Sequence, residues 1–249
     1  MNKEEIYIKS SFDGSMQPSL LFRSENENRP LLVALHTWSH DRNNCVPLML
    51  PWCEKYDLNL LCPNFRGPNL DTNPNCKDAC ASVAARTDIL DAISYVCEGY
   101  SIDRDNVLLA GMSGGGHMAL MMAATKPEIF KAIAAVVPIT DLAKWTEQSQ
   151  GYAKHVFACC ETKEEMLRRS PISYVDTIAR ANLKIFHGKF DHVVPFTHSI
   201  ELYNRIIRDY PEARVYLDIF DGRHEIDMIT VMHWLIGQYQ GKSKQKVTG

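Results

Sequence analysis

The stretch that decides the reading of this chain is Val107-Leu108-Leu109-Ala110-Gly111-Met112-Ser113-Gly114-Gly115-Gly116, which runs into HMALMMAAT over residues 117–125. Four apolar residues, a glycine-rich turn and an Ala- and Met-rich segment read as a buried strand, a sharp bend and a helix. The bend carries G-x-S-x-G. In that setting the serine backbone is held strained and its hydroxyl points up into the cleft. Side chains at Gly111 and Gly115 would collide with the neighbouring strand and helix. The Gly114 amide starts a helix and is placed to donate to an oxyanion. Phosphate-binding loops are the competing reading. Gly111 and Gly116 have Walker spacing, but His117 stands where the lysine belongs, and Ser113 stands where a dinucleotide fingerprint needs glycine. The pattern therefore points to a nucleophile.

Outward from this turn, short apolar runs at residues 31–35 (LLVAL), 58–62 (LNLLC), 132–137 (AIAAVV), 183–186 (LKIF) and 215–219 (VYLDI) read as further strands. Residues 84–99, 114–125, 197–209 and 227–239 have helical periodicity, with Ile89, Ala92, Ile93 and Val96 on one face. Wholly apolar strands alternating with helices predict an α/β fold with a mostly parallel sheet covered on both faces. We read residues 1–249 as a single domain with an excursion over residues 139–180. In such sheets the site lies at the carboxyl ends of the strands.

A serine nucleophile needs a base, and the base an orienting carboxylate, in the order Ser, Asp or Glu, His for this arrangement. Asp191 follows the strand at 183–186, and His224 follows the strand at 215–219, 33 residues later. Adjacent strands would bring Asp191 to the far nitrogen of His224 and leave the near one for Ser113. Nine histidines compete for the role of base. His187 ends a strand and packs locally, His192 beside the acid lines the pocket, His233 is structural, and His117 packs or hydrogen-bonds on the helix after the serine. Asp218 and Asp221 are too near His224 and on the wrong strand; Asp141 is the runner-up acid. The second oxyanion donor is expected after the strand at 31–35, where the Trp38 amide would partner Gly114 and His36 would brace the loop.

Composition sets the bounds. Of 249 residues, 45% are apolar and 23% charged, as in ordinary globular chains, so a sizeable core is allowed. Against 30 acidic residues stand 27 Lys and Arg, a net charge of −3, so no global electrostatic reason exists to bind nucleic acid or an anionic membrane. No apolar run approaches a membrane span, the densest at 132–139 being short and containing Pro138. Residues 1–10 lack the apolar core of an export signal, so a cytoplasmic location with reduced thiols is expected. Of the eight cysteines, Cys76 and Cys80 lie in a polar stretch where oxidation would let them pair; neither they nor the vicinal Cys159 and Cys160 have zinc spacing. No metal, flavin, nicotinamide or pyridoxal signature is present, so no cofactor is expected. An edge strand or the last helix offers a route to a homodimer.

Taken together, LLVALHTWS, PNFRGPN, the helix ending DAISYV with SIDRDNVLLAGMSGGGHMAL after it, HGKFDHVVP and FDGRHE resemble the α/β-hydrolase superfamily. Within it the chain is similar to prolyl oligopeptidase-like catalytic domains and dienelactone-hydrolase-like esterases. The resemblance implies Ser113, Asp191 and His224 as the triad. It also implies that Asn64, Phe65, Arg66 and Gly67 form a loop beside the site, with Arg66 structural. One departure is His36-Thr37, where the family's usual pair is His-Gly. The β-propeller of true prolyl oligopeptidases has no room in the chain, which favours a small ester over an oligopeptide. The excursion would act as a lid or pocket wall, with Trp145 and Tyr152 as candidate substrate contacts beside His192, or else packing the lid onto the body. The expected function is a serine hydrolase of short acyl carboxylic esters, including a carbohydrate acetyl or feruloyl ester as substrate. The alternatives are a small serine peptidase or amidase with the same triad, and a non-catalytic hydrolase-fold binding protein.

Overall fold

The structure is a computed structural model that describes residues 1–225 and 227–240. In chain order it places β1 (Asn2–Lys9), β2 (Met16–Arg23), β3 (Arg29–Leu35), α1 (Val46–Tyr56), β4 (Asn59–Pro63), α2 (Val83–Gly99), β5 (Ile102–Met112) and α3 (Gly114–Ala123). There follow β6 (Ala132–Val136), α4 (Leu142–Gln148), α5 (Gln150–Cys159), α6 (Lys163–Arg168), α7 (Val175–Ile178), β7 (Leu183–Gly188), α8 (Thr197–Asp209), β8 (Val215–Phe220) and α9 (Met228–Gln240). One eight-stranded sheet has the order β1-β2-β4-β3-β5-β6-β7-β8. From β4 to β8 every pair is parallel, while β1–β2 and β2–β4 are antiparallel.

The six parallel strands, β3 to β8, are those that the apolar runs predict. β4 and β6 are buried along their whole length, because helices cover both faces. On one face Ile89, Ala92, Ile93 and Val96 of α2 pack with α3 and with Leu202 and Ile206 of α8. On the other, Met49 and Cys53 of α1 pack with Val231, Met232, Leu235 and Ile236 of α9. The antiparallel hairpin at the N-terminus is an addition to the sequence reading. Only Ile6 and Ile8 of β1 are buried, so an edge strand with one partly covered face lacks the continuous apolar run of an inner strand.

Strand order reverses at β3. The chain runs from β3 through α1 to β4 on one side, then through α2 back across to β5 on the other. Such a switch opens a crevice at the carboxyl ends of the two strands. Leu35 is in register with Gly111, so the loop after β3 and the turn after β5 emerge side by side.

Residues 139–180 leave the sheet between β6 and β7 and form α4 to α7. They are fastened to the strand ends by a third apolar cluster. Trp145, Val156, Cys159, Cys160 and Met166 of the excursion pack with Trp38, Cys80 and Val194.

The loop after β4 is held differently. Phe65 and Arg66 both adopt left-handed backbone (φ 28° and 76°). The buried Arg66 guanidinium donates to Asp88 Oδ2 at 2.6 Å, Asp13 Oδ2 at 2.7 Å and Ser10 Oγ at 3.1 Å. This fork ties the loop to α2 and to the β1–β2 turn, the structural role that the resemblance implied. Removing one member of a buried pair strands the other charge. Arg66→Ala should therefore cost about 3–5 kcal/mol in urea denaturation at neutral pH, and adding Asp88→Asn should recover part of it. A loss below about 1 kcal/mol would mean that the fork does not hold the loop.

Candidate active site

Ser113 sits between β5 and α3 with φ 55° and ψ −116°, a left-handed conformation forced on a residue with a side chain. Its amide donates to Val136 O at 2.9 Å, and its carbonyl accepts from His117 N at 2.8 Å, the first turn of α3. The turn is so tight that its glycines have no room for a Cβ. At Gly115 that atom would lie 2.3 Å from Leu35 O, and at Gly111 2.1 Å from Gly115 O. Gly114 faces the loop after β3, where a Cβ would lie 2.5 Å from Trp38 N. The Gly114 and Trp38 amides therefore lie in close approach. Among the described residues neither has an internal acceptor. That is the arrangement expected of an oxyanion site.

Loops after β7 and β8 carry the other two groups. They are laced together by Lys189 N donating to Phe220 O (2.9 Å) and Phe190 N to Gly222 O (2.8 Å). His224 Nε2 lies 2.9 Å from Ser113 Oγ, and His224 Nδ1 lies 2.7 Å from Asp191 Oδ2. Asp191 Oδ1 accepts from the Val193 and Val194 amides at 2.8 and 2.9 Å. A carboxylate can only accept, so Nδ1 of His224 carries the proton and Nε2 is left as acceptor for the serine hydroxyl.

Asp191 has a further donor that local packing had been expected to claim. His187, fully buried at the end of β7, has Nε2 2.8 Å from Val194 O and 3.3 Å from Asp191 Oδ2. Both neighbours are acceptors, so Nε2 bears the proton, and Nδ1 accepts from Ser199 Oγ at 2.7 Å. The four-residue spacing from His187 to Asp191 is the only trace of this in the sequence. Burial pushes the Asp191 carboxyl upward, but donation from His187, His224 and the Val194 amide outweighs it and holds the group well below the usual carboxylate range.

Other predicted residues take simpler parts. His36 is buried and stacks on Phe65 at 3.9 Å, bracing the loop; burial lowers its tendency to protonate. His117 Nε2 donates to Arg169 O at 2.6 Å, tying α3 to the excursion, and burial pushes the ring down to about 4. Asp141 caps α4 by accepting from Lys144 N at 3.0 Å, and Asp218 pairs with Lys184 at 3.0 Å, so neither competes for His224. His192 is exposed on the acid loop.

Trp145 corrects the expectation of a substrate contact. It is 1% exposed, its Nε1 donates to Val193 O at 2.8 Å, and its ring meets Trp38 edge-on at 4.9 Å. An indole so enclosed packs the excursion onto the body. Tyr152 is half-buried; it stacks on Trp145 at 4.9 Å and meets Trp38 at 6.5 Å, so one side still faces outward. A cavity of about 550 Å³ lined by Arg104, Lys131, Asn182 and Arg214 lies at the amino ends of the strands, away from the serine.

The family model for the prolyl oligopeptidase family matches residues 82–235, more than half of the chain, and spans Ser113, Asp191 and His224. The chain belongs to the prolyl oligopeptidase family. It is similar to acylamino-acid-releasing enzyme 2 of Oryza sativa subsp. japonica, 26% identical over 241 residues covering 87% of this chain and 30% of that protein. It is also similar to inactive dipeptidyl peptidase 10 of Mus musculus, 27% identical over 128 residues covering 51% of this chain and 16% of that protein. The chain thus spans less than a third of the length of these relatives. Among solved structures, acylaminoacyl peptidase of Pyrococcus horikoshii superposes with a TM-score of 0.74 at 18% identity, over 98% of this chain and 41% of that one. S-formylglutathione hydrolase (FrmB) of Staphylococcus aureus does so with a TM-score of 0.72 at 15% identity, over 94% of this chain and 96% of that one. Both confirm the hydrolase fold of this family member. Among the described residues no helix is long and apolar enough to cross a membrane.

The depressed Asp191 carboxyl makes a pH-dependent contribution to stability. Its folded value lies below the unfolded one of about 3.9, so the stabilisation is fully present above that pH and is lost as pH falls through the folded value. Asp191→Asn should therefore be less stable than wild type at pH 7, and the gap should shrink as pH falls below about 4. Urea denaturation at several pH values measures this; a gap independent of pH would refute the assignment.

Proposed function

We propose that this family member is a serine hydrolase that cleaves an acyl–nitrogen bond through an acyl-enzyme, as in removal of an acylated residue or a short peptide bond. The observation that carries the reading is the series Ser113–His224–Asp191 beside two unengaged amides. Ser113 Oγ attacks the acyl carbon as its proton passes to His224 Nε2. Asp191 holds the ring tautomer and stabilises the imidazolium. The Gly114 and Trp38 amides receive the oxyanion. His224 then protonates the leaving nitrogen, and water reverses the sequence on the acyl-enzyme. Family membership alone does not carry activity, because one relative is named inactive; the assembled series supports it here. The amide substrate is supported by the relatives named for acylamino-acid release.

Hydrolysis of a small ester is the second reading. It is favoured by the fold shared with S-formylglutathione hydrolase along almost the whole of that chain. Alkoxide and phenolate leave with less help from a general acid than an amine does. An activated ester therefore reports the nucleophilic machinery under either reading, and only an anilide reports the amide activity. A sugar or aromatic ester has less support, because Trp145 is committed to packing.

Incubation with a fluorophosphonate probe should label Ser113, and Ser113→Ala should lose labelling and at least about 10⁴-fold in turnover with the fold intact. Cleavage of acetylated amino-acid anilides as well as p-nitrophenyl acetate would support the peptidase reading. Ester cleavage alone would move it to the esterases, and a folded protein that takes no probe would leave a non-catalytic binding protein.

His187 is a positioning residue in this scheme. His187→Leu removes a donor from Asp191 and leaves its charge more concentrated on the His224 side. We expect kcat to fall about tenfold with KM unchanged, and the acid limb of the rate profile to move to higher pH. An unmoved profile would reduce His187 to packing.

A further inference from the structure

Four of the eight cysteines converge where the excursion meets the loop before α2. Cys80, Cys159 and Cys160 are buried in one apolar cluster, and the half-buried Cys76 packs against it with its Sγ 3.5 Å from Ala158 O. The two segments are clasped around these sulfurs. Asp71 pairs with His155 at 3.0 Å and Lys154 at 3.3 Å, and Lys77 pairs with Glu161 at 2.5 Å. The buried Arg169 guanidinium donates to Ala79 O at 2.9 Å, Lys77 O at 3.0 Å and Glu165. Cys80 and Ala81 are consecutive residues with side chains in left-handed backbone (φ 47° and 53°), and the Cys80 amide is held by Asn69 Oδ1 at 2.6 Å. Residues with a Cβ adopt that conformation at a cost, which the surrounding contacts sustain. The Cys80 thiol is within hydrogen-bonding reach of both Cys159 and Cys160.

Among the described residues no three His, Cys, Asp or Glu side chains converge in a way that could hold a metal ion. The chemistry left to the thiols is their own. We propose that Cys80 and Cys160 form a peroxide-oxidisable pair that closes into a disulfide and fixes the helical excursion to the loop before α2. Burial by itself leaves a cysteine inert, and a reactive one needs thiolate character. Cys160 has it. The hydrogen bond from Cys80 first, and the charge of Arg169, hold its thiol below the usual value against the effect of burial. Cys80, as the donor, is raised.

The reaction balances with a peroxide as oxidant. The Cys160 thiolate attacks one oxygen of hydrogen peroxide, the O–O bond breaks, and Cys160 sulfenic acid and hydroxide form. The Cys80 sulfur then attacks the Cys160 sulfur, the S–O bond breaks, and the oxygen leaves as water with the Cys80 proton. In sum, two thiols and one hydrogen peroxide give one disulfide and two waters. The new bond would close a loop of about 80 residues, where chain-entropy reasoning gives large stabilisation.

The test uses the full chain. Hydrogen peroxide at low molar excess should lower the count of titratable thiols under denaturing conditions by two from the eight of the reduced protein. Peptide mapping should find Cys80 joined to Cys160. The melting temperature should rise by roughly 5–15 °C and return with dithiothreitol. Cys160→Ser should abolish the crosslink, and Cys97→Ser, outside the cluster, should keep it. The proposal is overturned if all eight thiols survive, if Cys76–Cys159 or Cys159–Cys160 is the bond found, or if thiols are consumed only as sulfinic acid. None of these readouts depends on hydrolase activity.

Discussion

Everything at the site depends on how closely the turn at Ser113 approaches the end of β3. Gly115 lies against Leu35 O and Gly114 against Trp38 N, at separations that no Cβ could share. That approach bends the chain from strand to helix within one residue and holds Ser113 in its left-handed conformation. It also lays the start of α3 beside the loop after β3, so that the Gly114 and Trp38 amides come close together. The strain is sustained by packing on every side: Ser113 and His117 of the turn are buried, as is the sheet beneath. A site built this way is preorganised, because its donors are backbone groups with almost no freedom to turn away.

The second half of the site is assembled by hydrogen bonds from buried groups. Asp191 receives four donors: two amides of its own loop, His224 and His187. This concentration of donors keeps the carboxylate ionised despite its burial and defines the tautomers of both rings. The excursion adds a third layer. Trp145, Val193 and Trp38 link it to both the acid loop and the oxyanion loop, so its position and the geometry of the site are coupled through one apolar cluster. The thiols of Cys80, Cys159 and Cys160 lie in that same cluster, which is why a bond between them would bear on the whole upper face of the molecule.

Much of this was legible in residue order. Six strands announced themselves as apolar runs, the inner five because both their faces are covered and the edge strand β8 by its alternating Val, Leu and Ile, and the G-x-S-x-G turn, the Asp191 loop and the His224 loop fell at strand ends in the order such a triad requires. The N-terminal hairpin was not legible, since NKEEIYIK buries only Ile6 and Ile8. Nor was α1, whose segment VPLMLPWCEKY carries two prolines and a weak apolar face. His187 read as a strand end and Trp145 as a substrate contact, because a sequence does not show which buried group lies behind a carboxylate or which aromatic is covered. Cys76 and Cys80 read as reduced thiols that oxidation would let pair, and only the excursion shows Cys159 and Cys160 in the same cluster.

Sequence by itself determined the chemistry and its topology: a serine on a glycine-flanked turn, an acid and a histidine one strand apart, and an alternation of strands and helices that builds a parallel sheet. These are local properties, set by periodicity and by the space a glycine leaves. Tertiary structure alone decided which groups meet: Trp38 N against Gly114, His187 behind Asp191, Trp145 sealed beneath Tyr152, and three thiols in one apolar pocket. Those meetings join residues as near in sequence as His187 and Asp191 and as distant as Cys80 and Cys160, and their closeness is a consequence of packing a sheet and an excursion to high density, which no short window of sequence contains.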